Sequence, residues 1–206
     1  MITFRSARCR LAAFLPFVIS SMVIVQLAGC STSQVDLAYD QSGRIEPVGP
    51  ETGKMTLGHF SDRRGVDPNW VGEIVGKYYY PKTVLETREP VTLAVRRVIE
   101  QGAEIRGMLS TRGADAIYQL SGEVIRLDGM ISRGTEAHAV INIRLTKRDG
   151  SKEVYREQHR IDLNEVRTGQ SANVLEGLLE DALNQAIVEA LDSPAFRDQL
   201  KAENDI

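Results

Sequence analysis

From residue 55 onward the hydrophobic positions follow two periods in turn. Met55, Leu57 and His59 alternate with Thr56, Gly58 and Phe60, which predicts a strand with the first three turned to a core. The stretch "DRRGVDPNWVGEIVGKYYYP", rich in turn residues and aromatics, reads as a long loop or irregular hairpin. Glu89-Pro90 then opens a helix, and Val91, Ala94, Val95, Val98 and Ile99 give it one apolar face before Gly102 stops it. Alternation returns at Ala116, Tyr118, Leu120, Gly122 and Val124. It resumes over residues 140–145 and 154–161, which flank Asp149-Gly150, a dipeptide suited to the positive φ angles of a type I′ hairpin turn. Ser171 is placed to cap a second helix, whose apolar stripe includes Val174, Leu178, Leu179, Leu183, Ile187 and Leu191. Ser193-Pro194 restarts a short helix carrying Phe196 and Leu200. The order β-α-β-β-β-α predicts an α+β domain, an antiparallel-rich sheet of about four strands with two helices packed on one face.

The first thirty residues follow neither period. Arg5, Arg8 and Arg10 precede the uncharged apolar run "LAAFLPFVISSMVIV", which is followed by Gln26 and Leu27-Ala28-Gly29-Cys30. A basic start followed by an apolar stretch too short to span a bilayer comfortably is the pattern of a secretory signal. Its last four residues resemble the bacterial lipobox, where small residues admit the processing peptidase and the cysteine thiol accepts a diacylglyceryl group. Residues 1–29 are therefore expected to be a removed lipoprotein signal peptide, with Cys30 the lipidated residue through which the mature chain holds the membrane. Each buried methylene contributes about 0.8 kcal/mol, so one acyl chain anchors marginally while more than one holds essentially permanently. Ser31, standing where an aspartate would favour inner-membrane retention, points to the outer membrane.

Residues 30–53 are polar and broken by Gly43, Pro47, Gly49, Pro50 and Gly53. They predict a flexible tether spanning about 25 Å on average and about 80 Å taut. Val35, Leu37 and Tyr39 alternate within it at the spacing of an added edge strand. Residues 54–206 then form a single periplasmic domain.

Loss of three arginines with the signal takes the basic count from 25 to 22 against 28 acidic residues, and the net charge from −3 to −6. A mildly acidic body with no basic stripe excludes nucleic acid as a partner. Cys9 leaves with the signal, so no disulfide forms within the mature chain and stability rests on a core. Catalysis needs several polar groups converging on one point. His59, His138 and His159 are the three histidines, none spaced as a metal pair, and no cysteine ligand remains after lipidation. Neither a nucleophile elbow, a P-loop nor a dinucleotide fingerprint is present. No metal, cofactor or catalytic residue is expected, and the chain does not read as an enzyme.

Two features remain. "DRRG", Asp62 to Gly65, reads either as an Asx-type turn with an arginine paired to a neighbouring carboxylate, or as a directional contact from Arg63 and Arg64 to a partner's carboxylate or phosphate. Trp70, Tyr78, Tyr79 and Tyr80 gather in the presumed loop, and these residue types supply rigid contact area at interfaces. The alternative is that the tyrosines alternate on a strand with one face in the core. Arg63, Arg64, Trp70, Tyr78, Tyr79 and Tyr80 together form the candidate partner-binding surface. Glu176, Glu180 and Glu189 predict a solvated face on the second helix.

The chain resembles the YajG-like family of bacterial outer-membrane lipoproteins. The resemblance is carried by "LAGC", by "MTLGHFSDRRGVDPNWVGEI" with Asp62, Arg64, Val71 and Gly72, by "VIEQGAEI" and by "ADAIYQLSGEV". It implies an envelope lipoprotein with an α/β periplasmic domain and no catalytic residues to carry over. The chain is also similar, in size and in a lipobox followed by an α/β domain, to auxiliary lipoproteins of ABC-type lipid or solvent transport systems, where binding is the implied role. The expected function is a non-catalytic, lipid-anchored binding or scaffold module that docks an envelope protein. The alternative is an auxiliary component of an ABC-type envelope transport system that takes an apolar ligand, with Leu120, Ile143, Leu178 and Leu183 lining the space for it.

Overall fold

The computed structural model of the chain describes residues 31–40, 55–75, 82–110, 112, 115–165 and 171–201. Residues 1–29, expected to be a signal peptide, Cys30, and Tyr78, Tyr79 and Tyr80 lie outside the described residues. The elements are β1 (Ser31–Val35), β2 (Met55–Asp62), β3 (Trp70–Ile74), β4 (Thr83–Thr87), α1 (Val91–Ile105), β5 (Tyr118–Ile131), β6 (Thr135–Lys147), β7 (Glu153–Glu165), α2 (Ala172–Asp192) and α3 (Pro194–Lys201). Among the described residues seven strands form one mixed sheet in the order β1-β4-β3-β5-β6-β7, with β2 also on β5. The α+β class stands, but the sheet is larger and less antiparallel than the sequence pattern predicts. β5–β6, β6–β7 and β3–β4 are antiparallel, whereas β1–β4, β2–β5 and β3–β5 are parallel.

The additional strands come from stretches too short to display a period. β3 and β4 have five residues each and fall inside and just after the segment read as a loop. β2 and β3 pair with the same edge of β5, from Met55 opposite Tyr118 to Asp62 opposite Val124, and then from Gly72 opposite Gly129 to Ile74 opposite Ile131. They are one line of strand interrupted by residues 63–69. Within β2 the register shifts between Leu57 and Phe60, so Phe60 is buried and His59 is exposed, the reverse of strict alternation.

The helices cover one face. α2 lies across β5, β6 and β7, and α1 packs on β2 and α2. Leu120, Val124, Ile141, Ile143, Leu179, Leu183 and Ile187 are buried in one continuous cluster. α3 adds Phe196, whose ring meets Tyr155 edge-on at 5.2 Å, and Leu200. The turn between β6 and β7 spans residues 148–152, longer than the two-residue turn expected. Gly150 has φ +73°, and the Asp149 carboxylate accepts from Ser151 N at 2.9 Å.

α1 does not stop at Gly102 but runs to Ile105. Gly102 is in the helix because the Tyr39 ring packs against it: a Cβ there would lie 2.9 Å from a Tyr39 ring carbon. The stop is Gly107, at φ +67°, where Gly107 N–H donates to Glu104 O and Met108 N–H to Ala103 O, both at 2.9 Å. This is a Schellman closure, which needs a left-handed residue at that position.

The expected tether is overturned for residues 31–40. β1 pairs in parallel with β4, and Val35, Leu37 and Tyr39 are buried in the same core as the helices. Beyond β1, the N–H groups of Asp36, Ala38 and Asp40 donate to Glu176 Oε1 (2.9 Å), Glu180 Oε1 (3.0 Å) and Asn184 Oδ1 (3.1 Å). The spacing works because two residues of extended chain advance about 6.7 Å and four residues of helix advance about 6 Å, so each second N–H meets each fourth side chain. Glu176 and Glu180 are thus acceptors for the N-terminal segment, not a solvated face; Glu189 is exposed as expected. Arg106, 1% exposed, closes the arrangement. It donates to both oxygens of Asp192 at 2.9 and 2.8 Å, to the Tyr39 hydroxyl at 2.6 Å and to Gly102 O at 2.9 Å.

Candidate functional site

Where the strand line of β2 and β3 is interrupted, β5 is left with backbone acceptors that no strand serves. Arg64 fills that gap. Its Nη1 donates to Trp70 O at 2.6 Å and to Leu127 O at 3.3 Å, and its Nη2 to Pro68 O at 3.0 Å and Asp67 O at 3.3 Å. Asp62 holds the other edge of the guanidinium, through Oδ1 to Nε at 3.0 Å and Oδ2 to Nη2 at 2.8 Å, and its Oδ1 also accepts Arg64 N–H at 2.9 Å. The hydrogen bond from the Arg64 side chain holds the Asp62 carboxyl below its ordinary pKa, against the opposing effect of burial. Asn69 ties the far side of the loop to β4: its Nδ2 donates to Thr87 O at 2.9 Å and its carbonyl accepts Thr87 N–H at 2.8 Å.

Of the residues picked out in the sequence, Arg64 is 4% exposed and serves the loop, which is the Asx-turn reading of "DRRG"; its guanidinium is not presented to a partner. Arg63 is 64% exposed and lies 3.4 Å from Glu123. Trp70 is half-buried at the start of β3. Tyr78, Tyr79 and Tyr80 are not brought to it by any described contact, since they lie outside the described residues.

The loop forms one wall of a cleft of about 410 Å³ on the sheet face opposite the helices. Trp70 and Val66 supply the wall, and Ile125 and Val140 lie along the strands beneath. Arg126, Val140 and Arg160 are direct cross-strand neighbours on β5, β6 and β7, so the two arginines flank an apolar centre. The next row is Asp128, His138 and Asp162. Arg126 Nε donates to Asp128 and Arg160 Nε to Asp162, each at 2.7 Å, and Asp162 also lies 2.6 Å from His138 Nδ1. Arg160, followed by His138, holds the Asp162 carboxyl below its ordinary pKa. Each arginine is therefore oriented through Nε, and its terminal nitrogens have no partner among the described residues. Such an arrangement accepts an anionic group on the η-nitrogens with an apolar body against Val140 and Trp70. Among the described residues no cluster of His, Cys, Asp and Glu is arranged to hold a metal ion.

Arg126 and Arg160 are the cleft residues that sequence reasoning missed, although a signal is present. "RLD" at 126–128 and "RID" at 160–162 repeat an Arg-aliphatic-Asp triplet at strand period, which places arginine and aspartate on one face with an aliphatic residue on the other.

No family model matches the sequence, and no curated protein matches it. Among solved structures, the fold is similar to that of a Xanthomonas campestris protein of family DUF330, with a TM-score of 0.59 at 13% identity, over 84% of this chain and 100% of that one. That likeness shows the fold alone. Two looser likenesses carry no argument. One is to an uncharacterized protein (TM-score 0.49, 11% identity, 79% of this chain and 97% of that one), the other to a minor lipoprotein from Acinetobacter baumannii (TM-score 0.35, 12% identity, 64% and 91%).

Proposed function

We propose that this chain is a non-catalytic binding module of the bacterial cell envelope, anchored by lipid on Cys30 in the outer membrane with its domain in the periplasm. The observation that carries the binding role is the cleft in which two Nε-anchored arginines flank Val140 beside Trp70. Its occupant carries an anionic group on an apolar body, and the partner we favour is an acidic segment of an envelope protein with aliphatic or aromatic neighbours. The lipobox and the family resemblance of the sequence support the anchor. A photocrosslinking residue placed at Val66, exposed on the cleft wall, tests the reading in cells. A specific envelope protein captured there, and lost when Arg126→Gln and Arg160→Gln are combined, supports it. Capture unaffected by those two substitutions assigns the contact elsewhere.

The second reading, an auxiliary lipid-binding component of an ABC-type transport system, draws on the same cleft, since guanidinium groups over an apolar floor also suit a lipid phosphate. It does not draw on the sheet–helix interface. Leu120, Ile143, Leu178 and Leu183 are packed in the core cluster, and none of them lines a described cleft. Native mass spectrometry of the unlipidated Cys30→Ala form separates the readings: co-purified phospholipid that Arg126→Gln removes favours the second.

A further inference from the structure

Among the described residues the fold starts at Ser31, which follows the cysteine in sequence. Ser31 pairs with Thr83 as the first residue of β1, and their side-chain oxygens are 2.7 Å apart. One peptide unit, about 3.8 Å between Cα atoms, separates Cys30 from that pairing. We infer that the domain rides directly on the bilayer, with the sheet rim at which β1 begins turned to the lipid headgroups. This rests on the lipid-anchor reading above and reverses the expectation of a long tether.

The rim follows from the register. Ser31 on β1 lies beside Thr83 on β4, then Ile74 on β3, Ile131 on β5, Thr135 on β6 and Glu165 on β7. The start of β1 and the β5–β6 turn therefore share one end of the sheet, about 15 Å apart at about 4.8 Å per strand. Val75 and Met130, 40% and 41% exposed, stand at this end with the exposed cations Lys82 and Arg133. Aliphatic side chains that enter the headgroup boundary and cations that stay among the phosphates suit an interfacial position. Glu136 is exposed at the same end and Glu73 pairs with Lys82, so the charge is mixed. The acyl chains supply the affinity, and the rim sets which way the domain faces. Asp128, at the near edge of the cleft, lies about 10 Å in from this rim, so the cleft opens sideways just above the headgroups. The β6–β7 turn at Ser151 is at the opposite end, about 40 Å away along β6.

The test uses the full acylated chain in vesicles of phosphatidylethanolamine and phosphatidylglycerol that carry headgroup spin labels. With Cys9 removed and Cys30 acylated, a cysteine introduced by Arg133→Cys or Ser151→Cys is the one free thiol for a fluorophore, and both sites are exposed turns. Lipid-borne quenching is expected to be several-fold stronger at position 133 than at 151. Insertion of a flexible glycine-serine decapeptide between Cys30 and Ser31 is expected to bring position 133 down towards position 151. Equal quenching at the two positions in the acylated, vesicle-bound parent overturns the inference and leaves the anchor reading intact. A purified chain that lacks the acyl mass and does not sediment with vesicles overturns the anchor reading and the inference with it.

Discussion

Arg64 and Arg106 are both buried, both grip an aspartate with two nitrogens, and both serve irregular chain. They differ in reach. Arg64 finds its carboxylate two residues away and spends its remaining donors on the loop that contains it and on one carbonyl of β5. Arg106 finds Asp192 86 residues away and Tyr39 67 residues away, so it joins the end of α1, the end of α2 and the N-terminal segment at one point. The first arrangement shapes a wall of the cleft, while the second holds the fold shut. A guanidinium that satisfies carbonyls locally governs one loop, whereas the same group across long sequence separation couples three elements at a single point.

Removing Arg106 is the hardest blow to that contrast. Arg106→Met is expected to cost about 3 kcal/mol, because it leaves the Tyr39 hydroxyl without its buried partner and Asp192 with Arg197 alone. Urea denaturation reads the loss, and hydrogen exchange should quicken at the amides of Ala38 and Asp40. Arg64→Ala is expected to cost less, about 1–3 kcal/mol, by leaving Trp70 O and Leu127 O short of a donor. Its faster exchange should stay within residues 63–70; if α2 loosened as well, the division between local and global arginines would fail. Gly102→Ala sharpens the global side without touching a charge, since the new methyl group meets the Tyr39 ring at 2.9 Å. The overpacking cost of about 1–3 kcal/mol outweighs the gain in helix propensity of about 1 kcal/mol, so a fall in thermal midpoint is expected.

Acid should reach the covered face through His159. Burial lowers its pKa below 6.5, with Glu157 and Glu189 opposing. The unfolded chain then binds more protons than the folded one below pH 6.5, so stability is complete above that value and falls as pH drops from it through the folded pKa. His159→Gln should flatten this slope in a series of denaturation curves. A separate loss belongs to Asp62 and Asp192. Asp62 is lowered by Arg64; Asp192 is raised by burial but lowered more by Arg106 and Arg197. Their contribution is present above 3.8 and lost as pH falls through their lower folded values. The smallest effect is expected from Glu180→Gln. Burial raises the Glu180 pKa, so its charge costs stability at neutral pH, while the amide oxygen of glutamine still accepts Ala38 N–H. A change within about 0.5 kcal/mol, neutral or stabilising, is expected, against a loss of about 1 kcal/mol for Glu180→Ala.

The same difference in reach separates what is legible in the sequence from what is not. "DRRG" announces an arginine paired within its own turn, because every partner needed for that reading stands within a few residues. The stripe of α2 and the restart at Ser193-Pro194 are legible for the same reason. Nothing near Arg106 points to Tyr39 or Asp192, and parallel pairing such as β1 on β4 brings together residues 52 positions apart. The alternation of Val35, Leu37 and Tyr39 is visible, but the glycines and prolines that follow outweigh it in a local reading. The cleft arginines are half-legible: the repeated Arg-aliphatic-Asp triplet gives the face, while their convergence on Val140 depends on a register that only the folded sheet supplies.

Residues 31–40 also have a mechanical side. β1 lies parallel to β4, and the chain beyond it is held along α2 by side-chain acceptors spaced down the helix. Tension applied at residue 31 along the strand axis, with the body of the domain held back, loads those hydrogen bonds side by side, in shear. They share the load and must give way together, whereas a pull across the strand would peel them one at a time. The strongest resistance to such a pull would lie in residues 31–40.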